Sequence, residues 1–164
     1  MTMESDLIRY FTGEKNGSIG FLLCGVLALA VSIYLLRGTE SLRMMAIPLS
    51  LVGLIQVGVG GSVLARTDGQ VAALKDQLGT APGAMKQAEQ TRMKKVMRSF
   101  EIIKITEIAI LAIGLLLALR FRHSDALWSI GIGCILQASA SLSLDLFAER
   151  RGELYLSALD KLSG

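Results

Sequence analysis

Apolar residues collect in four runs, 19–36, 44–65, 102–119 and 126–147, and charged or turn-forming residues bound each of them. The shortest runs hold eighteen residues. As a helix at ~1.5 Å per residue, that length reaches ~27 Å, enough to cross the hydrocarbon of a bilayer. Two short polar stretches, 37–43 and 120–125, join the runs in pairs. The pattern predicts an all-α polytopic membrane protein: a four-transmembrane-helix antiparallel bundle forming one domain over residues 1–164.

The polar stretches carry helical periodicity of their own. Val71, Leu74 and Leu78 recur three to four apart, so the second span is expected to continue past Arg66. A turn is expected over 79–83, where Gly79, Pro82 and Gly83 cluster. Met93, Val96, Met97, Phe100 and Ile103 then form a stripe that no breaker separates from the third span, which predicts one helix over 84–120. The stretch 66–101 thus reads as a helical hairpin outside the membrane. The tail, 148–164, aligns Tyr155, Ala158, Leu159 and Leu162 on one face and should pack on that hairpin. Residues 1–17 carry Leu7, Ile8 and Phe11 on one face, which fits a short interfacial helix or a loose terminus ended by Gly13, Asn16 and Gly17.

Several faces inside the spans are small or polar. In the fourth span the row Ser129, Gly133, Gln137, Ser141 and Asp145 runs at four-residue spacing, so it stacks on one side of the helix. Such a face is expected to look at other helices or water, since lipid cannot satisfy it. Gly20, Cys24, Ala28 and Ser32 in the first span, and Gly53, Gln56 and Gly60 in the second, are the faces expected opposite.

Composition agrees with a membrane setting. Mean hydropathy is +0.52, hydrophobic residues make up 52%, and there are 17 glycines. Net charge is +3 with a pI near 9.0. Thirteen of the 17 Lys and Arg fall on the side of both termini and residues 66–104, against Arg37, Arg43, Arg120 and Arg122 on the other. The positive-inside bias therefore puts both termini in the cytoplasm, and topology rather than nucleic-acid binding accounts for the charge. Ala28-Leu29-Ala30 imitates a signal cleavage site, but the apolar run continues to Leu36, so a retained span is expected. Length and short loops suit a bacterial inner (plasma) membrane.

Candidate chemistry is sparse. Cys24 and Cys134 sit in apolar runs without a CxxC, and His123 is the one histidine, beside Arg120, Arg122 and Asp125 in an outer turn expected to be solvated. Motifs for phosphate, zinc or acyl chemistry are absent, so no catalytic, metal or cofactor site is assigned and no enzyme activity is expected. The candidate polar site is Gln56, Gln137, Glu107, Asp145 and Lys104. Gln56 and Gln137 fall near mid-span and read either as a ligand site or as hydrogen-bonded glue between helices. Glu107 and Asp145 lie near the cytoplasmic ends of their spans, with Glu101 close by and Lys104 able to pair with either acid. Arg92, Lys94, Lys95 and Arg98 form a basic amphipathic run, a candidate surface for membrane lipid or a partner.

The two halves share an outline. Gln56 is the thirteenth residue of its run and Gln137 the twelfth, while Arg66–Leu78 and Arg150–Leu162 have equal length. This suggests a parallel repeat, as in some transporters. The function expected first is a non-catalytic membrane protein that recognises another protein, of the immunity type or as an accessory subunit. In architecture the chain is similar to four-span immunity proteins that protect bacteria from pore-forming toxins. The alternative is a small homo-oligomeric transporter or channel with its polar path through Gln56, Gln137, Glu107 and Asp145.

Overall fold

The computed structural model describes residues 3–38 and 40–161. They form four long helices: α1 (Met3–Gly38), α2 (Ala46–Thr80), α3 (Pro82–Arg120) and α4 (Asp125–Asp160), with a 3-10 turn at Arg43–Met45 before α2. No strand occurs among the described residues. Each helix contains a stretch long and apolar enough to cross a membrane.

The helices end where local chemistry requires it. Between α2 and α3 a single residue makes the turn: Ala81, at φ −148° and ψ 66°, with Pro82 opening α3. A residue before proline is pushed out of the helical region, while proline itself is tolerated at the first helical position. The Ala81 N–H still donates to the Gln77 carbonyl at 2.8 Å, closing α2. The expected five-residue turn over 79–83 is thus almost entirely helical. The α3–α4 turn is tied by the Ser124 N–H donating to the Phe121 carbonyl at 2.9 Å.

One expectation is overturned. α1 runs unbroken through Gly13, Asn16 and Gly17 into the first apolar run. A single glycine inside a helix costs only about 1 kcal/mol. Here the glycines have a packing use: a Cβ at Gly13 would lie 2.6 Å from Arg151 Cδ, and one at Gly17 2.5 Å from Arg151 Nη2. The gap they leave seats the Arg151 side chain of α4.

The chain forms two antiparallel hairpins, α1–α2 and α3–α4, and α4 joins them by packing on both α1 and α2. Each hairpin closes on a reciprocal glycine pair. A Cβ on Gly25 would meet the Gly53 carbonyl at 2.7 Å, and one on Gly53 the Gly25 carbonyl at 3.0 Å. Gly114 and Gly131 do the same for α3 and α4, at 2.9 and 2.8 Å. Without side chains, the backbones approach closely and gain dispersion contact along the crossing. Between hairpins, Gly133 lies beneath Pro48, with a Cβ there meeting its Cγ at 2.6 Å.

Large buried side chains gather at the two ends. At the end carrying the termini (the basal end), Leu7, Tyr10, Phe11, Met93, Tyr155 and Leu159 form a core, flanked by Val71, Leu74 and Val96. Leu162, expected on the same face, lies outside the described residues. Tyr10 and Tyr155 stack at 4.4 Å with 9° between ring planes, and Phe11 meets Tyr10 edge-on at 5.0 Å. Burial, with the Glu14 charge nearby, pushes the Tyr10 hydroxyl up to about 12. Burial first and Glu89 second raise that of Tyr155 well above a tyrosine's ordinary value. Both rings are therefore neutral bodies at physiological pH. At the opposite, apical end, Leu35, Met45, Ala46 and Leu49 form a smaller core.

Between these cores the buried positions include Ser18, Gly25, Gly53, Gln56, Gly60, Gln137, Ala138 and Ser141. These side chains are too small or too polar to fill the middle of the bundle. The outer faces of the same stretch expose Leu27, Leu51, Leu54, Ile105, Leu116 and Leu119, a polarity that suits hydrocarbon surroundings rather than water.

Candidate functional site

The underfilled middle of the bundle is a cavity of about 550 Å³ that all four helices line. α4 contributes Gln137, Ala138, Ser141 and Asp145, its inward row. α2 contributes Gln56 on a wall of Val52, Ile55, Val59 and Val63, and α3 contributes Glu107 beside Ile103, Thr106 and Ile110. Ile55, Val59, Ile102 and Ile103 are themselves exposed. The open side therefore lies between α2 and α3, a neighbouring pair that packs far less closely than either hairpin.

Four of the five residues expected to form a polar site meet here: Gln56, Gln137, Glu107 and Asp145. They come from three helices and from both halves of the chain. The glutamines do not bond each other. Gln56 Nε2 donates to Ser141 Oγ at 2.9 Å, and Gln137 Nε2 donates to the Leu49 carbonyl at 3.2 Å, so each ties α2 to α4. That is the glue function, and it uses only the donor end of Gln56. Its acceptor oxygen, Oε1, is buried with no hydrogen-bond partner. Glu107 Oε2 is in the same condition. Gln56 is 2% and Glu107 7% exposed. The Glu107 and Asp145 carboxyls stand within hydrogen-bonding reach of each other.

Lys104 is not part of this group. Its Nζ bonds both carboxylate oxygens of Glu149 at 2.6 Å, so it is already neutralised by a different acid on α4. The inner part of the cavity thus contains two carboxyls and no basic side chain. The basal part holds Glu14, Arg66 and Arg151. Burial raises the Glu14 carboxyl above its ordinary value, with Arg92 and Arg66 pulling it back, and its Oε2 also lacks a partner.

The basic run divides. Lys94, Lys95 and Arg98 are exposed. Arg92 turns inward, bonding Glu89 at 2.7 and 2.8 Å with its guanidinium 5.6 Å from the Phe11 ring centre. It belongs to the basal core rather than to an outer surface. A second, larger groove of about 870 Å³ runs between α1 and α4 at the basal end, lined by Asp6, Arg9, Asn16 and Arg151 among others. Among the described residues no three His, Cys, Asp or Glu side chains cluster as metal ligands would. The two cysteines are free thiols.

Glu14, Arg66, Arg151 and Glu149 were not assigned to a site from the sequence. Glu149 carried a legible signal, standing four residues after Asp145 on one face of a helix. Glu14 required α1 to be read as helical straight through Gly17. Comparison with protein-family models, curated proteins and solved structures finds no match for this chain.

Proposed function

We propose that the protein is a small integral membrane transporter that holds a solute in the cavity between its four helices. One observation carries this reading: Gln56, Glu107, Gln137 and Asp145, scattered over 90 positions of sequence, line a single cavity. Structural glue would account for the glutamine amide donors. It does not account for two carboxyls and an unsatisfied amide oxygen gathered around a space. The charge distribution supports a plasma membrane with both termini on the cytoplasmic side. The cavity then lies in the cytoplasmic half of the bilayer.

Recognition of another protein is the second reading, favoured by the exposed Lys94, Lys95 and Arg98 on α3. Its surface is separate from the cavity, so the two readings make different demands on mutants.

A transporter cavity must admit water. In a protein with Cys24 and Cys134 changed to alanine, Ser141→Cys in inside-out vesicles should react with a membrane-impermeant methanethiosulfonate reagent. Leu116→Cys, on an outer face 60% exposed, should not. Equal, background-level labelling at both positions would sink the transport reading. Partner recognition would take its place if alanine at Lys94, Lys95 and Arg98 removed a copurifying protein.

A further inference from the structure

We propose that the cavity takes an amphiphilic primary or secondary ammonium ion. Its nitrogen sits at Glu107, Asp145 and Gln56, and its carbon chain lies along α2 and α3 toward their open side. The biological use of such a site rests on the transporter reading above; its chemistry does not.

The unsatisfied atoms give the first argument. Five side-chain oxygens are buried without a hydrogen-bond partner among the described residues, and three of them belong to cavity residues: Gln56 Oε1, Glu107 Oε2 and Glu14 Oε2. Leaving a buried acceptor unpaired costs roughly 1–3 kcal/mol, so folded proteins keep few of them. All three are acceptors. Glu14 has Arg66 and Arg151 beside it, but at Gln56 and Glu107 no basic side chain lines the cavity, so the missing component there is a cationic donor.

Charge gives the second. Two adjacent carboxyls repel when both are ionised, and Lys104 is held away from them by Glu149. A cation relieves the repulsion and supplies N–H donors at once. An anion would face Glu107 and Asp145 in an apolar surround, and Arg66 and Arg151 are too basal to offset them. Facing the ammonium are Glu107 from α3, Asp145 from α4, Gln56 from α2 and, basally, Glu14 from α1 with Arg66 and Arg151. An alkylammonium with a pKa near that of lysine, ~10.4, keeps its charge at neutral pH.

Size and lining give the third. About 550 Å³ lies within the range of small organic ligand sites, roughly 300–1,000 Å³. A bare ion would leave most of it empty. Val52, Ile55, Val59, Val63, Ile103 and Ile110 offer a carbon chain apolar contact, at ~25 cal/mol per Å² buried. The gap between α2 and α3 would admit it from the bilayer side.

The test uses full-length protein in phosphatidylcholine nanodiscs, with binding read from the shift in thermal midpoint against ligand concentration. The probes are dodecylamine, dodecyltrimethylammonium (same charge and chain, no N–H) and dodecyl sulfate. Dodecylamine should raise the midpoint, and the trimethyl compound should bind at least tenfold more weakly. Dodecyl sulfate should give no saturable shift. Glu107→Gln should weaken dodecylamine at least tenfold and Gln56→Leu severalfold. If Glu107→Gln lowers the ligand-free midpoint strongly, Asp145→Asn serves the same comparison. Equal binding of the two cations would overturn the donor argument, and binding indifferent to Glu107 and Asp145 would overturn the site. The absence of any dodecylamine shift would overturn the proposal as a whole. Uptake of the same amine by proteoliposomes separates the two readings: binding without flux leaves the site standing and removes transport.

Discussion

At the scale of single residues, glycine carries most of the packing information. Gly25 and Gly53 let α1 and α2 touch, and Gly114 and Gly131 do so for α3 and α4. Gly58 and Gly61 have open space where a Cβ would go, and no glycine among the described residues needs a positive φ. The two kinds should therefore respond oppositely. Gly25→Leu or Gly131→Leu forces a side chain against backbone atoms, which should cost roughly 1–3 kcal/mol or more. Gly58→Ala and Gly61→Ala should stabilise by about 0.4–1 kcal/mol each, through reduced freedom of the unfolded chain. Thermal unfolding in one detergent would check both, and a matching loss at Gly58 would contradict the packing described. The sequence shows that 17 glycines are present. It does not separate the contact glycines from the exposed ones. The face expected for α1, Gly20, Cys24, Ala28 and Ser32, passes beside Gly25 without including it. Four-residue spacing finds faces, but neighbours choose which face is used.

At the scale of elements, helix continuity was largely legible. α3 spans Pro82–Arg120 and α2 passes Arg66 without a break, because no strong breaker interrupts either periodic pattern. The start of α1 differs from the local pattern: Gly13, Asn16 and Gly17 predict a stop, and the helix runs through them. The cost, about 1 kcal/mol for each glycine and less for asparagine, is offset by tertiary contacts that local reasoning does not include. The Lys104–Glu149 bridge between α3 and α4 is another such contact. Its partners are 32% and 14% exposed, and Lys104→Met would strand the less exposed Glu149. That substitution should cost about 1–3 kcal/mol, while adding Glu149→Gln should recover most of it. A double-mutant cycle on thermal unfolding measures the coupling. Additive losses would show that the bridge contributes nothing.

At the scale of the whole molecule, the charge asymmetry makes a topological prediction. Fluorescent protein fused after Gly164 should fluoresce, and alkaline phosphatase at the same point should be inactive. At Ser124, in the α3–α4 turn, phosphatase should be active. The reverse pattern would invert the orientation and move the cavity to the outer leaflet. The repeat suggested by the two halves meets a mixed outcome in the fold. Both hairpins close on a glycine pair, but Gly25 stands thirteen residues before the end of α1 and Gly114 only six before the end of α3. The equal spacing of Arg66–Leu78 and Arg150–Leu162 does not extend to where the helices cross.

Hydropathy and periodicity are properties of the chain read locally. They determined four helices, their apolar lengths, the charged margins and the inward row of α4, because a helix fixes which residues share a face before any partner arrives. Site membership was not determined in that way. Asp145 and Glu149 occupy one face of one helix, yet the first meets Glu107 at a cavity while the second holds Lys104 away from it. Gln56 and Gln137 look equivalent in sequence, yet only Gln56 keeps a buried oxygen without a donor. Those outcomes depend on the rotation and depth of helices relative to one another. Contacts far apart in sequence set both, and small residues between two well-packed ends leave the space in which the polar groups meet.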